Sequence, residues 1–249
     1  MSEIVIVGLG IKLYSHLTQE ALAVIQGAEK LYYLTNEPVM SDWLENNGNN
    51  SQSLEELYFS KELRCESYDL IVSEVLSSSD KYKSICFAAY GHPLMLNEIS
   101  EKILLMSGPH IETSVIPGIS TENVMFCDLG VDPLKLGLQS YEATYLLASK
   151  LKINTNANLV LWQAGVVGVT GHTAGHNGNP GIDSIQKKLQ LLGYAEKHII
   201  YFYEASLYPH KPPVIIESTI KEMSSKKIST LMTLFVPAMV SKHKDVTSP

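Results

Sequence analysis

The chain has 249 residues, 45% hydrophobic and 18% charged, a balance that excludes a disordered polypeptide and leaves room for one large domain or two small ones. Its formal net charge is −7 and no stretch is rich in Lys or Arg, which argues against a nucleic-acid-binding surface. No apolar run approaches the ~20 residues that a bilayer-spanning helix needs.

The opening MSEIVIVGLG has neither the basic region nor the cleavage site of a signal peptide. Within it, residues 4–7 form a β-branched run closed by Gly8-Leu9-Gly10, which reads as a buried strand of a parallel sheet. Thr18 is placed to cap a helix with Glu20 in its first turn and Ala21, Leu22, Ile25 and Ala28 at helical spacing. Residues 31–34 then read as a second strand, and the βαβ unit implies a right-handed crossover in a parallel sheet. Residues 45–53, rich in Asn and Ser, read as a surface loop. A helix is expected over 62–77 and a strand over 84–90, ending at Tyr90-Gly91-His92-Pro93. A helix over 95–106 and a strand over 111–116 follow, ending at Pro117-Gly118-Ile119-Ser120-Thr121, and then a helix to about Leu129.

In the second half, strands are expected at 159–163, 198–203, 214–217 and 228–236. A helix over 182–192 follows the glycine-rich loop 171–181. The expected organisation is two α/β lobes, 1–117 and 118–249, hinged near 117–135. A ligand cleft would lie beyond the carboxyl ends of the first lobe's strands. Cys65, Cys86 and Cys127 form no C-x-x-C pair and are expected to be free, mostly buried thiols, as in a reducing compartment. Together with the features of the N-terminus, they point to a soluble cytoplasmic protein.

Gly8-Leu9-Gly10 lacks the third glycine of a dinucleotide fingerprint, since Leu13 stands where it is expected, but glycine there lets a ligand approach the backbone. Gly-His-Pro forces a sharp turn, because proline fixes φ and removes a donor. Pro117–Thr121 is a loop of the same kind. VGLGIK, LTQEALAVIQGAEKLYYL, YGHPL and IPGIST, in this order, resemble the tetrapyrrole-methylase superfamily of S-adenosylmethionine-dependent methyltransferases. DLGVDPLKLGLQSYEATYLL, NLVLWQAGVVGV and KISTLMTLFVPA are similar to the borosin (omphalotin-type) peptide backbone α-N-methyltransferases. The resemblance implies a two-lobed fold, with a mostly parallel N-terminal sheet, a mixed C-terminal sheet and flanking helices. It also implies iterative methylation of peptide backbone amides and a homodimer. Fused borosin enzymes carry the peptide at their own C-terminus, whereas this sequence stops at Pro249, soon after its last expected strand. The expectation is therefore a split enzyme acting on a separate precursor peptide.

A peptide nitrogen is a poor nucleophile because its lone pair is delocalised into the carbonyl. Methylating it requires loss of the proton and stabilisation of an imidate-like oxygen. Arg64 and Tyr68 share a helical face, and Tyr58 precedes Arg64 by six residues. Borosin enzymes have the same Tyr, Arg, Tyr spacing at the reaction site, so Tyr58, Arg64 and Tyr68 are the implied catalytic set. Arg64 stays protonated and cannot be the base. It is expected to stabilise the imidate oxygen and depress a tyrosine pKa, leaving Tyr58 or Tyr68 as the base.

By the same resemblance, S-adenosylmethionine would contact Tyr90, His92, Met95, Leu96, Ser120, Thr121, Gln163, Ala205, Ser229 and Thr230, leaving S-adenosylhomocysteine as product. Leu94 stands where the family pattern often has glycine. His172 and His176 have the spacing of metal ligands on a helix, but they lie in a Gly-, Asn- and Pro-containing loop without a neighbouring Cys or carboxylate. They read as surface loop, with no metal site. Trp43 and Trp162 read as packing residues, and Glu142 as either a core-facing hydrogen bond or a site residue. Two other readings compete: a methyltransferase for a tetrapyrrole or another small molecule, and a non-catalytic module binding S-adenosylmethionine or a peptide.

Overall fold

The computed structural model describes residues 1–35, 37–172 and 180–239. They form two compact units. The first comprises the described residues of Met1–Met125, Thr170–His172 and Ala205–Pro212, and the second those of Phe126–Val169, Thr173–Glu204 and Pro213–Pro249.

The first unit holds β1 (Ser2–Gly8), β2 (Lys30–Leu34), β3 (Gln52–Ser53), β4 (Ser84–Ala89) and β5 (Ile111–Ile116). All pair in parallel, in the order β3-β2-β4-β1-β5. The two-residue alternation of β1 sorts its side chains into separate cores. Ile4 and Ile6 pack with Ile71, Val72, Phe87 and Ile103, while Val5 and Val7 pack with Ala21, Ile25, Leu31 and Leu44. A strand covered on both faces must be apolar at every position, which is why its run is continuous.

The helices are α1 (Gln19–Gly27), α2 (Pro38–Asn47), α3 (Glu55–Tyr58), α4 (Arg64–Ser77), α5 (Glu98–Met106) and α6 (Thr121–Leu129). Thr18 caps α1 as expected, its hydroxyl accepting from Ala21 N at 3.0 Å. The expected loop 45–53 is shorter than its composition suggested, because α2 runs through Asn47 and Gln52–Ser53 pair with Tyr32–Tyr33. Pro38 starts α2, the Glu37 carboxylate caps Met40 N at 2.8 Å, and Met40 and Leu44 alone are its buried residues. Asn46 and Asn47 donate their side-chain amides to the Asp42 and Trp43 carbonyls, so these polar residues close the helix rather than leave it. Cys86 is buried, whereas Cys65 and Cys127 are exposed, contrary to the expectation of mostly buried thiols. They sit on α4 and α6, whose buried contacts are carried instead by Ile71, Val72 and Val75 of the one and Val124 and Met125 of the other.

The second unit holds β6 (Leu138–Glu142), β7 (Asn158–Trp162), β8 (Ile199–Glu204), β9 (Val214–Thr219) and β10 (Thr233–Val236), with α7 (Ala143–Ala148) and α8 (Ile182–Leu191). The order is β6-β7-β10-β8-β9; β6 and β7 are parallel and the other pairs antiparallel. The expected strand 228–236 forms only at its end. Ile228 and Met232 are buried, but Leu231 N donates to the Ser229 hydroxyl and Met232 N to the Ser229 carbonyl, closing a turn ahead of β10. Trp162 packs in the second unit with its Nε1 donating to Ser140 Oγ at 2.7 Å, and Trp43 packs against the first unit's core.

Glu142 is the cap of α7: its carboxylate accepts from Thr144 N at 2.8 Å and Tyr145 N at 2.6 Å. Glu142→Ala removes both acceptors and is expected to cost about 1 kcal/mol in urea denaturation. Glu142→Gln, which keeps an acceptor, should cost less. Among the described residues no helix is long and apolar enough to cross a membrane, and no group of three His, Cys, Asp or Glu residues could hold a metal ion. His176 lies outside the described residues.

Candidate active site

At the carboxyl edge of the first sheet, β1, β4 and β5 end in Gly8-Leu9-Gly10, Tyr90-Gly91 and Pro117-Gly118. Gly10 and Gly91 exchange backbone hydrogen bonds of 3.2 and 3.0 Å, each with φ near +70° (72° and 71°). A Cβ on Gly8 would stand 2.5 Å from Gly118 N and 2.6 Å from Gly91 O, and one on Gly118 would meet the Gly91 carbonyl. The three strand ends therefore meet through backbone atoms.

Tyr90, His92, Met95 and Leu96 follow β4, and Ser120 and Thr121 follow β5, so these six expected contacts sit on loops flanking β1. His92 accepts from Leu94 N through Nδ1 at 3.2 Å and from Met95 N through its carbonyl at 3.1 Å, which closes the turn. Tyr90 and Leu96 are exposed. Ser120 is buried and occupied: its hydroxyl donates to Asn123 Oδ1 at 2.8 Å and accepts from Asn123 N at 3.3 Å, capping α6.

In the second unit, Gln163 ends β7 with φ 56°, and Gly165 lies against the Ser229–Thr230 backbone so closely that a Cβ would meet the Ser229 carbonyl. The Ser229 hydroxyl donates to the Glu204 carboxylate. Glu204 was not among the expected site residues; its signal was an acid closing an otherwise apolar and aromatic strand. Ala205, the next residue, falls in the first unit.

Tyr58 ends the single turn α3, and Arg64 begins α4, with Tyr68 one turn further on. The two tyrosine rings are 6.0 Å apart and tilted by 31°. Arg64 donates through both its backbone N and its Nε to the Thr170 carbonyl, each at 3.4 Å. Leu63 and Gly171 form an antiparallel bridge. His172 lies 4.8 Å from the Tyr58 ring and 5.2 Å from the Phe59 ring. Residues 170–172 therefore belong to this cluster, and the part of the glycine-rich loop that is described is not a free surface segment. The remainder, 173–179, lies outside the described residues.

Burial pushes the Tyr68 hydroxyl up to about 12, and Tyr58 adds to the shift, while Arg64 pulls it down. For Tyr68, one of the two tyrosines that the guanidinium was expected to act on, the expectation of a depressed pKa is thus corrected: Arg64 acts in the expected direction, but desolvation of the phenolate outweighs it. Tyr68 keeps its proton at neutral pH.

Burial likewise holds Tyr32 and Tyr194 at about 12. An unfolded tyrosine releases its proton near pH ~10. Between there and about 12 the unfolded chain therefore binds fewer protons than the folded one, and stability falls as pH rises. Denaturation midpoints should be unaffected by these groups below pH ~10 and drop steadily above it.

The tetrapyrrole (corrin/porphyrin) methylase family matches residues 3–207. The chain belongs to this family. It is 29% identical over 237 residues to a methyltransferase/ribosomally synthesized cyclic peptide gymnopeptides precursor of Gymnopus fusipes, covering 93% of this chain and 56% of that one. It is 27% identical over 249 residues to a methyltransferase/type I borosin cyclic peptide precursor of Coprinopsis marcescibilis, covering 97% and 63%. The chain thus spans somewhat over half the length of these relatives. The fold is similar to that of uroporphyrin-III-C-methyltransferase from Thermus thermophilus, with a TM-score of 0.68 and 14% identity over 95% of this chain and 92% of that one. The parallel and mixed five-stranded sheets with flanking helices, expected from the resemblance, are present.

Proposed function

We propose that this chain is an S-adenosylmethionine-dependent methyltransferase that iteratively methylates backbone amide nitrogens of a ribosomal precursor peptide. The observation that carries the reading is the Tyr58, Arg64, Tyr68 cluster, supported by similarity to borosin precursors over more than nine-tenths of the chain.

Gly8 and Gly118 pack the strand ends together, while a Cβ on Gly91 would meet only Ile11 Cδ1, at 3.5 Å, which leaves the main chain there open to close approach by a ligand, so the residues present fit the cofactor. S-adenosylmethionine supplies an electrophilic methyl group on a sulfonium. In the first unit, Tyr90, His92, Met95, Leu96 and Thr121 are the proposed contacts. Ser120 contributes through the loop that it caps, because its hydroxyl is already engaged. Ala205 keeps its assignment, as do Gln163, Ser229 and Thr230 in the second unit.

Arg64 carries a permanent positive charge and would stabilise the oxygen of the deprotonated amide. Its tie to Thr170 O fixes the start of the side chain's reach. Tyr68, protonated at neutral pH, would donate a hydrogen bond to the same developing charge. Tyr58 stands beside it at the end of α3.

The test is to incubate the purified chain with S-adenosylmethionine and a peptide from a neighbouring reading frame and record intact masses. Successive replacements of hydrogen by methyl are expected. Cofactor binding without transfer to any peptide, together with transfer to a corrin or porphyrin precursor, would replace this reading with a small-molecule one. The homodimer implied by the resemblance is part of the same proposal and is checked by sedimentation at several concentrations.

A further inference from the structure

Glu204 stands outside the motifs read from the sequence, yet it holds one of the proposed cofactor contacts. The side chains of β8 alternate between the two faces of the sheet, so Glu204 shares the face of Ile200 and Phe202, both fully buried in the second unit's core. Glu204 itself is half-buried. An acid drawn partly out of water on that face is unfavourable unless it is bonded. Among the described residues its side-chain partner is the Ser229 hydroxyl.

Ser229 is fixed by further contacts. Its hydroxyl accepts from Leu231 N at 3.2 Å, and its carbonyl accepts from Met232 N at 3.4 Å. Ile228 and Met232, on either side, are buried in the same core as Phe202. Against this turn runs the turn 163–166, closed by Val166 N donating to the Gln163 carbonyl at 3.0 Å. Gly165 packs there on the Ser229–Thr230 backbone, where a Cβ would stand 3.0 Å from Thr230 Cα. Gln163, Ser229 and Thr230, three of the proposed cofactor contacts, thus lie on two turns packed backbone to backbone, and Glu204 ties down one of them.

The bonding of the Ser229 hydroxyl decides what it can offer a ligand. A hydroxyl has one hydrogen and two lone pairs. The hydrogen goes to Glu204 and one lone pair to Leu231 N. One lone pair is left, so towards a ligand Ser229 Oγ accepts and does not donate. Glu204 enforces this polarity, because a carboxylate oxygen has no hydrogen to give in return.

We propose that Glu204 is a positioning residue of the cofactor site, which holds the Ser229 hydroxyl as a hydrogen-bond acceptor for a donor group of S-adenosylmethionine. The inference rests on the assignment of Ser229 as a cofactor contact. The donors available are the adenine amine, the ribose hydroxyls and the ammonium group. Without Glu204 the hydroxyl is free to turn, and binding must freeze it again.

Calorimetric titration of S-adenosylhomocysteine into the full chain reads the effect without turnover. Glu204→Ala is expected to raise Kd by about five- to tenfold. Glu204→Gln, whose amide oxygen can still accept from Ser229, should stay within about threefold of the unaltered chain. In a Ser229→Ala background, E204A should add less than about twofold, because the hydroxyl through which Glu204 acts is gone. Titration of 5′-methylthioadenosine, which lacks the amino-acid end, separates the donors. The same loss with it places the donor on the adenosine, and a loss with S-adenosylhomocysteine alone places it on the ammonium; both support the role.

An E204A chain that binds both ligands like the unaltered one overturns the inference. So does E204Q binding as weakly as E204A, or E204A and S229A effects that multiply, since the carboxylate would then act by another route. Should E204A fold poorly, Glu204→Met, which refills the space without an acceptor, replaces it with the same two outcomes. A chain that binds no S-adenosylhomocysteine at all removes the cofactor reading beneath the inference, and the inference with it.

Discussion

Arg64→Ala is expected to lower the rate of methyl transfer to peptide by about 10²- to 10³-fold, the loss that follows removal of a preorganised donor from a developing oxyanion. The loss should appear in kcat more than in KM, because the amide oxygen gains full negative charge only as the proton leaves. Arg64 is the first residue of α4 and is half-buried, so truncation leaves the core of α4, formed by Ile71, Val72 and Val75, untouched. Its backbone N keeps the Thr170 carbonyl even when the Nε bond is lost. Circular dichroism and the thermal midpoint should therefore stay close to those of the unaltered chain. Arg64→Lys keeps the charge but loses the planar fork, and should fall between the two. Steady-state kinetics with mass-spectrometric detection make the comparison. An alanine variant as fast as the original would remove Arg64 from the reaction.

Gly118→Ala should be the most damaging small substitution in the first unit. Its Cβ would run into the Gly91 carbonyl and stand 2.8 Å from the Cα and carbonyl carbon of Gly8. All three are backbone atoms, so no side chain can rotate aside, and β1, β4 and β5 would have to separate at their carboxyl ends. The expected cost is at the top of the overpacking range, about 3 kcal/mol. Affinity for S-adenosylmethionine should fall by about tenfold or more as these strand ends separate. Gly91 makes the internal comparison. A Cβ there meets only Ile11 Cδ1 at 3.5 Å, so the penalty comes from its φ of +71° alone, about 1–2 kcal/mol. Urea denaturation of both variants, with calorimetric titration of the cofactor, tests the ranking. Equal and small effects would mean that the three strand ends are not packed as described.

The parallel sheet was legible because its strands are covered on both faces, so Ile4–Val7 had to be an unbroken apolar run. The cap at Thr18 was equally plain, since a hydroxyl before a helical repeat has one economical use. Helix α2 was obscured because only Met40 and Leu44 face the core and its last turn is Asn-Asn. β6 went unread because every one of its residues is partly or fully exposed, leaving no apolar pattern, and α7, at six residues, is too short to show a helical repeat. At the site, the order of motifs identified the family and the Tyr, Arg, Tyr spacing pointed to one cluster. The rest depended on tertiary placement. Desolvation of Tyr68 is a property of its surroundings, not of its neighbours in sequence. The return of residues 170–172 to 61–64 joins positions more than a hundred residues apart, and no local pattern encodes it.

Peptide N-methylation is tested most directly by tandem mass spectrometry of a peptide incubated with the purified chain and S-adenosylmethionine bearing a deuterated methyl group. Label on backbone nitrogens, increasing by whole methyl groups with time, is the predicted result. Label confined to side chains, or no label on any peptide while calorimetry shows the cofactor bound, would contradict it.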